Sequence, residues 1–178
     1  MIERIIKGEI NSEHPQDHWR FLPTDGETVL DLGCGINSEH LPTPMYWIQN
    51  KAKFVAGVDP SKESYDWYKS NFNIKNFIPI MDYVDRLEKF ELYLGYYKPT
   101  VLKIDIEGGE LYLNGLDPAY LSNTRHIGIE YHNLSCLISC ERLLRDNGYE
   151  LEYYKFPHLP IDYQGVLYAH KKTITTNK

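Results

Sequence analysis

The sequence predicts an α/β fold: an open twisted sheet, mostly parallel, with an antiparallel hairpin at its C-terminal edge and helices on both faces. Three observations predict it. Apolar β-type runs alternate with helical stretches from residue 28 onward, the pattern of a sheet whose crossovers are helices. The first run, Thr28 to Leu32, carries apolar residues on both faces, as a central buried strand requires. The last two runs, Tyr149 to Lys155 and Gly165 to His170, have no helical stretch between them and read as an antiparallel pair.

The elements follow in order. The N-terminal stretch Ile2 to Ile10 is amphipathic and reads as a helix, in a segment of 27 residues that serves as a lid or an edge cover. After the first strand come Gly33 and Gly35, then a loop, then a helix starting near Pro44, since Pro42 and Pro44 would break a helix interior. The second strand is Lys53 to Val58, ending at Asp59. Ser61 caps the next helix, which runs to Asn71. The third strand is Phe77 to Ile80, with a helix from Tyr83 to Leu94 stopped by Gly95. Thr100 to Ile104 is the fourth strand, followed by a short helix around Glu110 to Asn114. His126 to Glu130 is the fifth, and Leu134 to Asp146 a helix stopped by Asn147-Gly148. Residues 171–178 form a polar tail.

The 178 residues suit a single domain, with residues 28–170 as its core. Hydrophobic residues at 42% and charged residues at 25% are an ordinary soluble composition. No apolar run approaches the roughly 20 residues that span a bilayer. MIERIIKGEI lacks the long apolar stretch and small-residue cleavage site of a signal peptide, so a cytoplasmic location and no membrane partner are expected. The net charge of −6, with Lys and Arg scattered, argues against a nucleic-acid partner. Three cysteines exclude a fully paired intramolecular disulfide framework and fit reduced thiols.

Open α/β sheets bind ligands at the carboxyl ends of their strands, where strand order reverses. Asp31-Leu32-Gly33-Cys34-Gly35 is predicted to sit there, with glycines that let the backbone approach a ligand. Asp59, one strand later, can accept hydrogen bonds from two ribose hydroxyls. A Rossmann-like dinucleotide site would want Gly or Ala at position 38, where this chain has Ser38, which weighs against an NAD-dependent oxidoreductase. Asp31 would repel a pyrophosphate and could meet the cationic amino group of a methionine-like ligand.

VLDLGCG followed by GVDPS resembles the cofactor site of class I S-adenosylmethionine-dependent methyltransferases. The resemblance matches Gly33 and Gly35 to the glycine loop and Asp59 to the ribose-binding acid, with Asn37 where many members carry a third glycine. By position it also assigns Asp82, after the third strand, to the adenine amino group. VLKIDIEGGE and HIGIEYHN narrow it further. They resemble the FkbM-type methyltransferases, with their Lys-Ile-Asp-x-Glu-Gly-x-Glu stretch and a strand ending in Glu-x-His. That resemblance covers about residues 28–170. It implies S-adenosylmethionine as cofactor and a hydroxyl on a sugar or other small molecule as acceptor.

Lys103, Asp105 and Glu107 alternate along one strand, and a buried Lys103 requires a carboxylate partner. Methyl transfer to oxygen needs a base, and Asp105, Glu130 and His132 are the candidates, His132 for its ordinary pKa near 6.5. The alternative is a divalent cation, magnesium or calcium by ligand type, held by Asp105, Glu107, Glu130 and His132. His132, Cys136 and Cys140 share a helical stripe but lack a fourth ligand for zinc, so the thiols read as core. A non-catalytic cofactor-binding module is the competing reading from outside enzymology. Acceptor recognition falls to the N-terminal 27 residues, the Pro42–Pro44 loop and the turn PHLPIDYQ, or to a second subunit of a homo-oligomer.

Overall fold

The computed structural model describes residues 4, 6–10, 18–36 and 42–171. Among these, eight strands form one sheet: β1 (Ile6–Glu9), β2 (Thr28–Leu32), β3 (Phe54–Asp59), β4 (Phe77–Met81), β5 (Val101–Ile104), β6 (His126–Tyr131), β7 (Tyr149–Lys155) and β8 (Gly165–Lys171). The helices are α1 (Thr43–Gln49), α2 (Lys62–Asn71), α3 (Leu87–Tyr97) and α4 (Leu134–Asp146). Two 3₁₀ turns, Gly109–Leu113 and Pro118–Leu121, follow β5.

The strand order is β1-β7-β8-β6-β5-β2-β3-β4. Strands β2 to β6 are mutually parallel, and β8 runs antiparallel to both β6 and β7. The chain winds outward from β2 to β4, then crosses back to lay β5 on the other side of β2. Strand order therefore reverses between β2 and β5, which opens a crevice at their carboxyl ends.

Side chains alternating along β2 serve two cores. Leu30 and Leu32 pack with Leu102, Ile104 and Ile129 beneath Phe90 and Leu94 of α3 and Leu137 of α4. Val29 packs with Val55, Val101 and Val166 beneath Trp19, Trp47 of α1 and Tyr68 of α2. Each such fully buried aliphatic side chain contributes about 1.5–3 kcal/mol. Ser61 caps α2 by accepting from Ser64 N at 3.1 Å, and Asn133 caps α4 by accepting from Cys136 N at 2.9 Å.

Three expectations are corrected. The Ile2–Ile10 helix is replaced, in its described part, by β1, which pairs parallel with β7 and leaves Ile10 fully buried. Lys155–Glu9 and Lys7–Glu152 ion pairs flank this pairing, and β1 covers backbone groups of β7 that would otherwise be an open edge. The terminal hairpin is therefore not outermost. The third helix starts at Leu87, because Val84 is buried in the crevice and Tyr83 N donates to Asp82. It passes through Gly95, whose missing Cβ admits the Tyr120 ring, and ends at Lys98 with φ +46.

Candidate active site

The crevice between β2 and β5 is lined by Gly33, Val58, Asp59, Asp82, Val84 and Asp105. Each of the four parallel strands β2, β3, β4 and β5 delivers a residue to it from its carboxyl end. Gly33 has φ +79, and a Cβ there would lie 1.6 Å from the Asp105 carbonyl oxygen, so only glycine fits. Asp59 Oδ1 accepts from Ser61 N at 2.9 Å, while Oδ2 lies 3.1 Å from where a Gly35 Cβ would be. Burial raises the Asp59 pKa, against the Ser61 hydrogen bond and Lys103. Asp82 accepts from Lys89 and Tyr93, both at 2.5 Å, and these bonds hold its carboxyl below the usual range despite partial burial.

Register explains the floor of the site. Asp31 and Lys103 are partners across β2 and β5, and Lys103 is the partner of Gly128 across β5 and β6. Lys103 Nζ sits 3.1 Å from Asp31 Oδ1 and 3.6 Å from Asp105 Oδ2, and donates to Gly33 O at 2.5 Å. Trp19 lies over it, 5.4 Å from ring centre to Nζ, in the space a Gly128 side chain would occupy. Burial pulls the Lys103 pKa down, but Asp31 and Asp105 outweigh it and keep the ammonium charged. The predicted pairing of Lys103 is thus present. Asp31 is fully buried, with Lys103 Nζ at 3.1 Å and Trp47 Nε1 donating to it at 2.7 Å.

Asp105, Glu107 and His132 gather beside this floor, with one ligand atom from each within 4.8 Å of the others. His132 Nε2 is 3.3 Å from Glu107 Oε2 and 3.8 Å from Glu130 Oε1, and Nδ1 is 3.5 Å from Glu110 Oε1. Glu130 is buried and held by Gln164 Nε2 at 2.8 Å, with His18 Nδ1 3.8 Å from its other oxygen. Burial, then the Asp105 charge, raises the Glu130 pKa. For His132, burial pulls down, but Glu110, Glu130 and Glu107 together raise it. His132 therefore sits among carboxylates that shift it upward, where the sequence alone suggested an ordinary imidazole. Glu130 also lines a second cavity with His18, Phe156, Leu159 and Gln164, built from the N-terminal segment and the β7–β8 turn.

Known structures that share this architecture include several methyltransferases. A Listeria monocytogenes protein provisionally classed as S-adenosylmethionine-dependent superposes with TM-score 0.59 at 12% identity, covering 89% of this chain and 96% of that one. Magnesium protoporphyrin IX methyltransferase from Synechocystis PCC 6803, solved with bound cofactor, gives 0.55 at 14%, covering 84% and 72%. A Clostridium thermocellum protein provisionally classed as an rRNA methylase gives 0.59 at 11%, covering 92% and 98%. The chain has the class I methyltransferase fold. At these identities the fold is what is shared. No protein-family model matches the sequence, and a search of curated proteins finds no match.

Sequence reasoning missed four residues. Glu110 ends the Lys103–Glu110 motif and was legible there as a carboxylate. Gln164, Trp19 and Trp47 reach the site only through tertiary packing. Cys34, Cys136 and Cys140 are buried, and burial raises each thiol pKa, so they pack as core thiols. Asn37 and Ser38 lie outside the described residues.

Proposed function

We propose that this chain binds S-adenosylmethionine and transfers its methyl group to a hydroxyl of a small molecule. The observation that carries the reading is the shared crevice: a glycine turn that admits no side chain, and Asp59 beside it, both facing Asp105. The residues fit the cofactor. Gly33 and Gly35 would allow close backbone approach, Asp59 would accept the ribose hydroxyls, and the Asp82–Val84 stretch, which lines the same crevice, would flank the adenine. Asp31 contributes indirectly, by fixing Lys103 and through it the Gly33 carbonyl. When bound, the cofactor supplies an electrophilic methyl on a sulfonium.

The chain's own work is to hold an acceptor oxygen near about 3 Å from that carbon and to take its proton. Glu130 is the base by geometry: Gln164 and His18 fix its carboxylate at the mouth of the second cavity, beside Asp105. With the cofactor bound, the acceptor oxygen would receive the methyl group, S-adenosylhomocysteine would leave, and an Oε of Glu130 would take the hydroxyl proton. Asp105 and His132 orient the acceptor. The FkbM-like motifs at 100–110 and 126–132 support an oxygen acceptor on a sugar or related compound. The carboxylates Asp105, Glu107 and Glu130 on the acceptor side disfavour a phosphate backbone and favour a small-molecule acceptor over nucleic acid.

Calorimetry with S-adenosylmethionine and NAD, each titrated separately, tests the cofactor. Binding of NAD in place of S-adenosylmethionine overturns the reading. Release of S-adenosylhomocysteine in the presence of hydroxylated acceptors, abolished in Glu130→Gln, tests turnover. Unchanged turnover in that variant removes Glu130 as base, and cofactor binding with no turnover across sugar acceptors favours a non-catalytic module.

A further inference from the structure

The geometry points to a divalent-cation site formed by Asp105, Glu107 and His132, with Glu110 as the positioning residue that aims the imidazole into it. The three ligands come from the end of β5, the turn after it and the end of β6, and their donor atoms lie within 4.8 Å of one another. Glu110 supplies an independent observation. It is 0% exposed, Oε1 accepts from Ile106 N at 3.1 Å and lies 3.5 Å from His132 Nδ1, and Oε2 has no hydrogen-bond partner among the described residues. A carboxylate fully removed from water and half-satisfied is costly unless a positive group faces it.

The orientation of His132 fits coordination. Metal-bound histidines generally donate their second ring N–H to a carboxylate, which fixes the tautomer. Here Nδ1 lies 3.5 Å from Glu110 Oε1 with no hydrogen-bond partner among the described residues, and Nε2 lies 3.3 Å from Glu107 Oε2, so an N–H at Nδ1 turned to Glu110 would leave the Nε2 lone pair directed at the cluster. Nearby positive charge is already committed, because Lys103 pairs with Asp31 and donates to Gly33 O. Glu107, Glu110 and Glu130 converge on the His132 imidazole, and Asp105, 3.6 Å from Lys103, brings a further carboxylate to the cluster.

The donor set also selects the ion. Magnesium and calcium favour all-oxygen shells, whereas two carboxylates with one imidazole suit a first-row divalent ion such as manganese. This revises the magnesium or calcium expectation drawn from the carboxylates alone. The site stands without the methyltransferase reading, while its role, lowering the pKa of an acceptor hydroxyl, rests on it.

The test is titration of the full chain with Mn2+, following loss of the free-ion electron paramagnetic resonance signal. One Mn2+ per chain is expected. Glu107→Gln, at an exposed position that leaves the fold intact, and His132→Gln each weaken binding at least about tenfold, and Glu110→Gln weakens it by about 10–100-fold without touching the ion. No binding by the wild type at millimolar Mn2+, or equal binding in Glu107→Gln and His132→Gln, overturns the site. S-adenosylmethionine titrated into the same samples without Mn2+ reports the cofactor reading separately, so either can fail while the other stands.

Discussion

Lys103→Met tests the floor of the site most directly. The ammonium is 1% exposed and lies 3.1 Å from Asp31, which is 0% exposed. At an effective dielectric of about 20, that separation is worth about 5 kcal/mol of attraction. The substitution also removes the cost of burying an ammonium, so the net loss is smaller than the attraction. What remains is a buried aspartate held only by the Trp47 indole. Removing one partner of such a pair costs about 3–5 kcal/mol, a large share of the roughly 5–15 kcal/mol that holds a domain folded. Urea unfolding followed by circular dichroism reads this as a fall in midpoint at constant slope. Asp31→Asn combined with Lys103→Met removes both charges and leaves a carboxamide for Trp47 to bond, so it recovers at least half of the loss. A Lys103→Met loss below about 1 kcal/mol, or a double variant no more stable than the single, would refute the claim that this pair holds the floor.

Gly33 and Gly148 share a left-handed backbone, with φ +79 and +77, but a Cβ at Gly148 meets nothing within 4 Å. Gly148→Ala therefore incurs backbone strain alone, about 1–2 kcal/mol, and leaves S-adenosylmethionine affinity unchanged, whereas Gly33→Ala displaces the Asp105 carbonyl and abolishes binding in calorimetry. Asp59→Asn removes charge-assisted bonds worth about 1.5–3 kcal/mol and raises the cofactor Kd by about 10–100-fold. Away from the site, Glu141 is buried against Arg4 Nε at 2.7 Å and Tyr153 OH at 2.7 Å; burial raises its pKa, but these two bonds outweigh it and hold the carboxyl low. A depressed folded pKa gives stability that is present above the unfolded value, near about 4.3, and is lost as pH falls through the folded one. Urea midpoints measured from pH 6 down to about 3 should fall less steeply in Glu141→Gln than in the wild type.

Local signals made the sheet legible. Helix α4 has the predicted bounds because Asn133 caps it and Asn147-Gly148 stops it, all within one stretch of chain. The strands β2, β3 and β5 were readable because both their faces are buried. β1 was not, since IKGE has a helix-compatible pattern and its partner lies near residue 153. The crevice residues Gly33, Asp59 and Asp105 were legible as motif positions, but the duty of Asp31 was not. That depends on the register placing it opposite Lys103 and on Trp47 arriving from α1. The Glu-x-His spacing related Glu130 to His132, but Glu110, which reaches the ring from a 3₁₀ turn after another strand, was hidden for the same reason.

The position of β8 carries a consequence for synthesis. It is the last strand in sequence among the described residues, yet it lies between β6 and β7. A ribosome-bound chain that has not released residues 165–171 can assemble only the five-stranded parallel half. β7 and β1 then have no route to it, and the open flank of β6 presents Ile127 and Ile129 beside unpaired backbone. Arrest of translation shortly before Gly165 would leave an adhesive sheet edge, and the final strand closes it by inserting into a gap instead of adding at a margin.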